Sequence, residues 1–277
     1  MRSVVGDAAL ALLLEVTGTP KPGNVDRHRD HPDLRFEHFV AGAIGSWPGL
    51  ELMAGDGPLG AAFDRAVEGM ADQRGGNTQF GALLLLAPLV RAAARGDLSP
   101  AGAAGVVEAT TVDDAVSFYR AFEHVAVAVE DPPEGLDDLD VRRGSDAAPA
   151  LRERGLTLEG VMELSASVDG VAAEWAGGFE RTFEAARWLL AYDGPVEDRT
   201  SWVFLRLLAD EVDTFVVKTV SRRAAEEATR RAGAVLDGDE DAETLAEEFV
   251  ARGINPGPTA DLTAGALFVA LERGLDV

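Results

Sequence analysis

Apolar residues recur along this chain at helical spacing almost throughout, and the strict alternation that marks a half-buried strand is hard to find. Val4, Val5, Ala8 and Leu12 form one such stripe, which ends at Thr17-Gly18 before a Pro-Gly loop. Further stretches of the same period cover 36–46, 59–72, 78–95, 99–108, 111–129, 157–176, 178–192, 197–221, 222–236, 240–252 and 259–273. The pattern predicts an all-α fold, a compact multi-helix bundle with short connections, as a single domain over residues 1–277. The segment 131–154, with Pro-Pro, Asp-Asp and Gly-Ser-Asp, is polar and rich in breakers, so a surface excursion is expected there.

A chain of 277 residues can bury a core of this kind without disulfide or metal staples. It contains no cysteine, which excludes a disulfide framework, a thiolate metal site and a cysteine nucleophile. The formal net charge is −23, yet 47% of residues are hydrophobic, so the acid coats a folded body rather than a disordered one. Only Lys21 and Lys218 are lysines; the other basic residues are arginines. An acidic surface of this density is best tolerated where salt screens it, which points to a halophilic, cytoplasmic protein. Nucleic acid is not an expected partner, because that needs a basic face. Nor is a membrane: the run Ala82–Val90 contains Pro88 and falls well short of the ~20 residues that span a bilayer. The sequence leaves a homodimer open.

Several segments look wrong for a purely structural bundle. Thr19-Pro20-Lys21-Pro22-Gly23-Asn24-Val25-Asp26 leads into His28, Asp30, His31 and Asp33, and its prolines restrict where the Lys21 ammonium can point. A rigid interhelical loop with solvated charges would look the same, but the scarcity of lysine favours a task for Lys21. Arg74-Gly75-Gly76-Asn77-Thr78-Gln79 precedes an apolar helix. Asn77 or Thr78 can cap it, and the glycines let a phosphate approach free N–H groups at the positive end of the dipole. Asp210-Glu211-Val212-Asp213-Thr214, with Lys218 beyond, reads as one helical face. Asp210 and Asp213 are the candidate Mg²⁺ ligands there, a solvated acidic face being the alternative. Asn255-Pro256-Gly257-Pro258-Thr259-Ala260-Asp261 sets a turn and a helix start, for which capping alone is a sufficient account. Glu15 continues the Leu12 side of the first helix, and an inward carboxylate needs a partner.

Taken together and in order, Glu15, Thr19–Asp26, Gly76-Asn77-Thr78, Asp213-Thr214 and Asn255-Pro256-Gly257 with Asp261 resemble the triphosphoribosyl-dephospho-CoA synthase family, in an archaeal, haloarchaeal-like branch. The likeness spans nearly the whole chain. It differs where Gln79-Phe80 stands before Gly81, where Thr219-Val220-Ser221 follows Lys218, and at Pro258-Thr259 in place of the family's Gly-Ser.

The resemblance implies an all-helical fold and a transferase that takes ATP and 3′-dephospho-CoA as partners. It displaces adenine and joins the 5-triphosphoribosyl group to a 2′-hydroxyl through an α-glycosidic bond. Such a site must hold a triphosphate, for which Mg²⁺, Lys21, Lys218 and the Gly75–Thr78 amides are the candidates. It must also supply acid and base for what the change of anomer suggests is a single inverting displacement. Asp26, Asp213 and Asp261 are the candidates for those roles, with His31 as a further one. Glu15, Gly23, Asn24, Thr214, Asn255 and Gly257 are expected to contact substrate. Two other readings remain open on the sequence. One is the same fold acting on another acceptor or hydrolysing a nucleotide; the other is a catalytically silent nucleotide-binding protein.

Overall fold

The computed structural model describes residues 2–132 and 134–277, and among them the only regular elements are α-helices and two short 3₁₀ turns. In chain order the helices are α1 (Val4–Thr17), α2 (Phe36–Gly45), α3 (Trp47–Ala54), α4 (Leu59–Met70), α5 (Phe80–Ala94), α6 (Pro100–Glu108), α7 (Val112–Ala121) and α8 (Ala148–Arg154). They continue with α9 (Leu158–Ser165), α10 (Gly170–Ala176), α11 (Glu180–Ala191), α12 (Val196–Asp210), α13 (Thr214–Thr219), α14 (Arg222–Leu236), α15 (Ala242–Ala251) and α16 (Gly257–Glu272).

Two helices form the interior. α5 and α16 are apolar around most of their circumference, so burial on all sides is their low-energy placement, and they pack on each other. α1 and α11 close over α16, and α3, α4 and α6 over α5. Pro88 sits inside α5 and cannot donate to the carbonyl of Leu84 four residues back; Trp175 Nε1 donates to that oxygen instead, at 3.2 Å. Phe63, Phe80, Phe118 and Phe122 interlock edge to face, with centroids 5.1 Å apart for Phe63–Phe80 and 4.9 Å for Phe80–Phe122. Each such pair contributes about 1 kcal/mol beyond its area, and together they tie α4 and α7 to the start of α5. A second apolar cluster, with Phe204, Leu208, Ala228 and Phe249, joins α12, α14 and α15.

The all-α expectation holds, with five local corrections. The stretch 197–221 is two helices, because the Asp213 carboxylate accepts from the N–H groups of Phe215 and Val216 and restarts the helix there. Asp169 does the same inside 157–176, accepting from Val171 and Ala172 at 3.0 Å. Helix α7 ends at Ala121 rather than 129, and α3 was not foreseen, because Ser46-Trp47-Pro48-Gly49 reads as a breaker although Pro suits a helix's first turn. Finally, 131–154 is no mere excursion among its described residues. Leu139, Ala147 and Leu151 are buried against α7, and Tyr119 donates its hydroxyl to the Leu139 carbonyl at 2.7 Å.

Candidate active site

A cleft of ≈ 600 Å³ opens where the N-terminal ends of α5 and α16 meet the loop after α1, the end of α7, and the α9–α10 corner. Its size suits a nucleotide-sized ligand.

The loop after α1 folds flush against the segment before α16. Gly23 has φ +81°, and a Cβ there would overlap the carbonyl of Ile254, so both its backbone and its lack of a side chain are needed. Asp26 is fully buried and pins the loop: Oδ2 accepts from Lys21 N (3.1 Å) and Arg29 Nη1 (2.9 Å), and Oδ1 from His28 N (2.8 Å). Both its oxygens are committed, and it does not line the cleft.

Lys21 is 0% exposed. Its ammonium donates to the Glu15 carboxylate and to Asn24 Oδ1 (3.2 Å) and lies over the Phe204 ring. Asn24 Nδ2 in turn donates to Asn255 Oδ1 at 3.0 Å, so a polar chain runs from α1 to the start of α16 beneath the cleft floor. Glu15, Asn24 and Asn255 face the cleft; Lys21 does not. Burial lifts Glu15 above the usual carboxylate range, and the Lys21 charge opposes that rise. The expectation that Lys21 binds phosphate is therefore corrected: it is the buried counter-charge of Glu15.

Asp261 enters the cleft from the second turn of α16, against the start of α5. A Cβ on Gly81 would overlap its carboxylate, so glycine at that position lets the carboxylate approach. Enclosure by protein raises Asp261 well above the carboxylate range, and the Glu15, Asp169 and Asp213 charges push it further. Two carboxyls thus share one cleft in unlike surroundings. Glu15 has an ammonium partner; Asp261 has none.

At the start of α5, Asn77 Oδ1 accepts from Phe80 N (3.1 Å), while Thr78 Oγ1 and Gln79 Oε1 have no partner among the described residues. Asn77, Thr78 and Gln79 line the cleft. Gly75 and Gly76 do not: the turn they form is closed by Gln73, whose Nε2 donates to Gly76 O at 2.6 Å. His31 lines the cleft with Nε2 on the Gly23 carbonyl at 2.9 Å. A carbonyl only accepts, so Nε2 carries the proton and Nδ1 is the nitrogen left for other partners.

Asp213 is buried, and its four bonds are structural. Oδ1 accepts from Phe215 N (3.0 Å) and Val216 N (3.1 Å), Oδ2 from Thr259 N (3.0 Å) and Thr259 Oγ1 (2.7 Å), which staples α13 to α16. Thr214 Oγ1 accepts from Gly170 N at 3.0 Å and fastens α10. Neither residue lines the cleft; Gly257 and Lys218 do. Asp210 is exposed at the end of α12, 3.4 Å from Arg206, so the expected Asp210–Asp213 metal pair does not form. Among the described residues no three His, Asp or Glu side chains gather as metal ligands, so there is no all-protein cage for an ion.

The sequence model of the CitG family, ATP:dephospho-CoA triphosphoribosyl transferase, matches residues 1–276. The chain belongs to that family. A crystal structure from Archaeoglobus fulgidus, assigned to triphosphoribosyl-dephospho-CoA synthase, superposes with a TM-score of 0.68 at 25% identity, over 85% of this chain and 99% of that one. No curated protein matches the chain. The family's reaction moves the triphosphoribosyl group from ATP to dephospho-CoA, and this member is a transferase of that kind.

Two features of this transferase's cleft escaped the sequence reading. Asp169 caps α10 with one oxygen and turns the other toward Lys218 Nζ, at 3.9 Å. An Asp-Gly step inside an apparent helix is the signal that would have found it. The other is the charge balance: Lys218 is the single Lys or Arg among the lining residues, against Glu15, Glu130, Asp131, Asp140, Asp169 and Asp261. Of the side-chain cations expected to hold a triphosphate only Lys218 faces the cleft, and the lining is mainly anionic. No described helix is long and apolar enough to cross a membrane.

Proposed function

We propose that the cleft breaks the N-glycosidic bond of ATP with Asp261 as the acid and Glu15 as the base. The observation that carries this reading is the pairing of two carboxyls in one cleft, both raised by burial, of which Glu15 has the Lys21 ammonium to hold its charged form and Asp261 has like charges and no cation. In the step, the C1′–N9 bond of ATP breaks and the 2′-oxygen of dephospho-CoA bonds to C1′. Glu15 takes the hydroxyl proton and Asp261 gives its proton to the departing adenine; exchange with water resets both.

Lys218, Asn77 and Asn255 are the groups on hand to orient the substrates. With one lysine among six carboxyl side chains, the lining does not neutralise a triphosphate alone. Mg²⁺ is accordingly read as part of the substrate, arriving on the nucleotide's phosphates. The charge of −23 and the two lysines support a protein built for a salt-rich cytoplasm, where both substrates are found.

The test is adenine release in molar KCl with Mg-ATP, with and without dephospho-CoA, followed by the mass of the product. Release that depends on dephospho-CoA, with a product heavier by one triphosphoribosyl group, is expected. Release with ATP alone would mean hydrolysis, and no release under either condition would leave a binding protein.

A further inference from the structure

One stretch of the cleft lining is apolar and takes no part in the chemistry above. Phe122, Val127, Leu136, Val161, Met162 and Leu164 wall it, drawn from α9 and from the segment that follows α7. Tyr119 reaches the same wall, but its hydroxyl is spent on the Leu139 carbonyl. At the mouth Leu164 is 47% and Val168 48% exposed, an apolar edge left open to water. Glu130, Asp131 and Asp140 also line this region.

We infer that this apolar arm holds the pantetheine tail of dephospho-CoA, an inference that rests on the transferase reading. Reach and charge both favour that placement. The adenine of ATP must lie beside Asp261 to receive its proton, and the ribose of ATP carries the reacting carbon. Both belong at the polar end. The triphosphate is disfavoured by the apolar walls and by Glu130, and the Arg142 guanidinium at this edge is already spent on Asp131 and Asp140. The adenosine of dephospho-CoA is fixed near the same carbon by its attacking 2′-oxygen. Only one part of either substrate is uncharged, extended and distant from the reacting atoms: the tail of methylenes, two amides and a thiol beyond the acceptor's diphosphate. Lys218 stands between the two ends, 3.4 Å from the Ala128 carbonyl and near Asp169, where that diphosphate would pass. The apolar walls then stabilise the tail by burial, at roughly 25 cal/mol per Å² before ordering costs are set against it.

Leu164→Asp and Val168→Asp place a carboxylate on the open edge, where substitution leaves the core intact. In each, the KM for dephospho-CoA is expected to rise about tenfold, with the KM for Mg-ATP moving far less. 4′-Phosphopantetheine, which has the tail without the adenosine, should compete with dephospho-CoA and not with ATP. A rise in the KM for ATP in place of that for dephospho-CoA would overturn the inference by putting the donor's base in the arm. An unchanged KM for dephospho-CoA in both variants would overturn it outright. Calorimetric titration of dephospho-CoA separates this inference from the reading beneath it. Binding weakened about tenfold by Leu164→Asp, in an enzyme that releases no adenine, would sink the transfer and support the arm.

Discussion

Gly81 on α5 and Asp261 on α16 are packed so closely that a single methyl group on Gly81 would overlap the Asp261 carboxylate. The two buried helices of the core therefore meet at the atom proposed to protonate the leaving base. The missing side chain at Gly81 is what allows the α5 backbone to approach it.

Gly81→Ala should accordingly cost turnover more than stability. Alanine favours the helix by up to about 1 kcal/mol over glycine, which offsets part of the overlap, so thermal melting should move little. The acid, in contrast, is displaced, and kcat for adenine release should fall at least about tenfold. A variant with a normal kcat would show that the position of Asp261 is not critical.

Lys21 and Glu15 form a fully buried ion pair, and removing one partner leaves a charge without its match. Lys21→Met should lower the unfolding free energy in urea by about 3–5 kcal/mol, and the double variant Lys21→Met/Glu15→Leu should recover most of that loss. A Lys21→Met protein of normal stability with only a raised KM for ATP would return Lys21 to phosphate binding.

That reversal shows where the sequence stops being legible. The Pro-Lys-Pro-Gly-Asn loop stood out by residue type, as did Glu15 and Asp261, and the structure draws all three to one cleft. The direction of the Lys21 side chain did not follow, because a loop's backbone can turn either face inward and only tertiary packing decides. Asp210 and Asp213 looked like one helical face because Val212 and Val216 keep the apolar period across the break. The Asp213 carboxylate, bonded to Thr259 from a distant helix, ends that pattern. Asp169 hid inside an apparent helix for the same reason. The apolar residues of 131–154 were outweighed in the reading by its charges and prolines, yet Leu139 and Leu151 bury themselves on α7.

Asp261 also makes stability depend on pH. Its proton is held more tightly in the folded protein than in the unfolded chain, so the folded state is favoured while Asp261 is protonated. That contribution is full below the ordinary carboxylate range and is lost as pH rises through the raised value. Asp261→Asn removes this dependence. Urea denaturation should find the variant more stable than wild type at pH about 8, with the difference shrinking to nothing near pH about 4. An equal gap at both pH values would contradict the assignment.

Salt should act in the opposite sense to its usual effect on surface ion pairs. At −23 the self-repulsion outweighs pairs such as Arg252–Glu227, so screening it should stabilise the fold. The melting temperature should climb steadily between about 0.1 M and about 2 M KCl, as the Debye length falls from about 10 Å to below about 3 Å. A flat or falling curve would remove the halophilic reading.

The most direct test is the pH dependence of adenine release by the wild type and by Asp261→Asn, at saturating Mg-ATP and dephospho-CoA. The wild-type rate should fall on the alkaline side as Asp261 loses its proton. The variant should be slower by about 10²-fold or more and should lack that limb. The same alkaline limb in both proteins, or a variant as fast as the wild type, would mean that Asp261 does not protonate the leaving base.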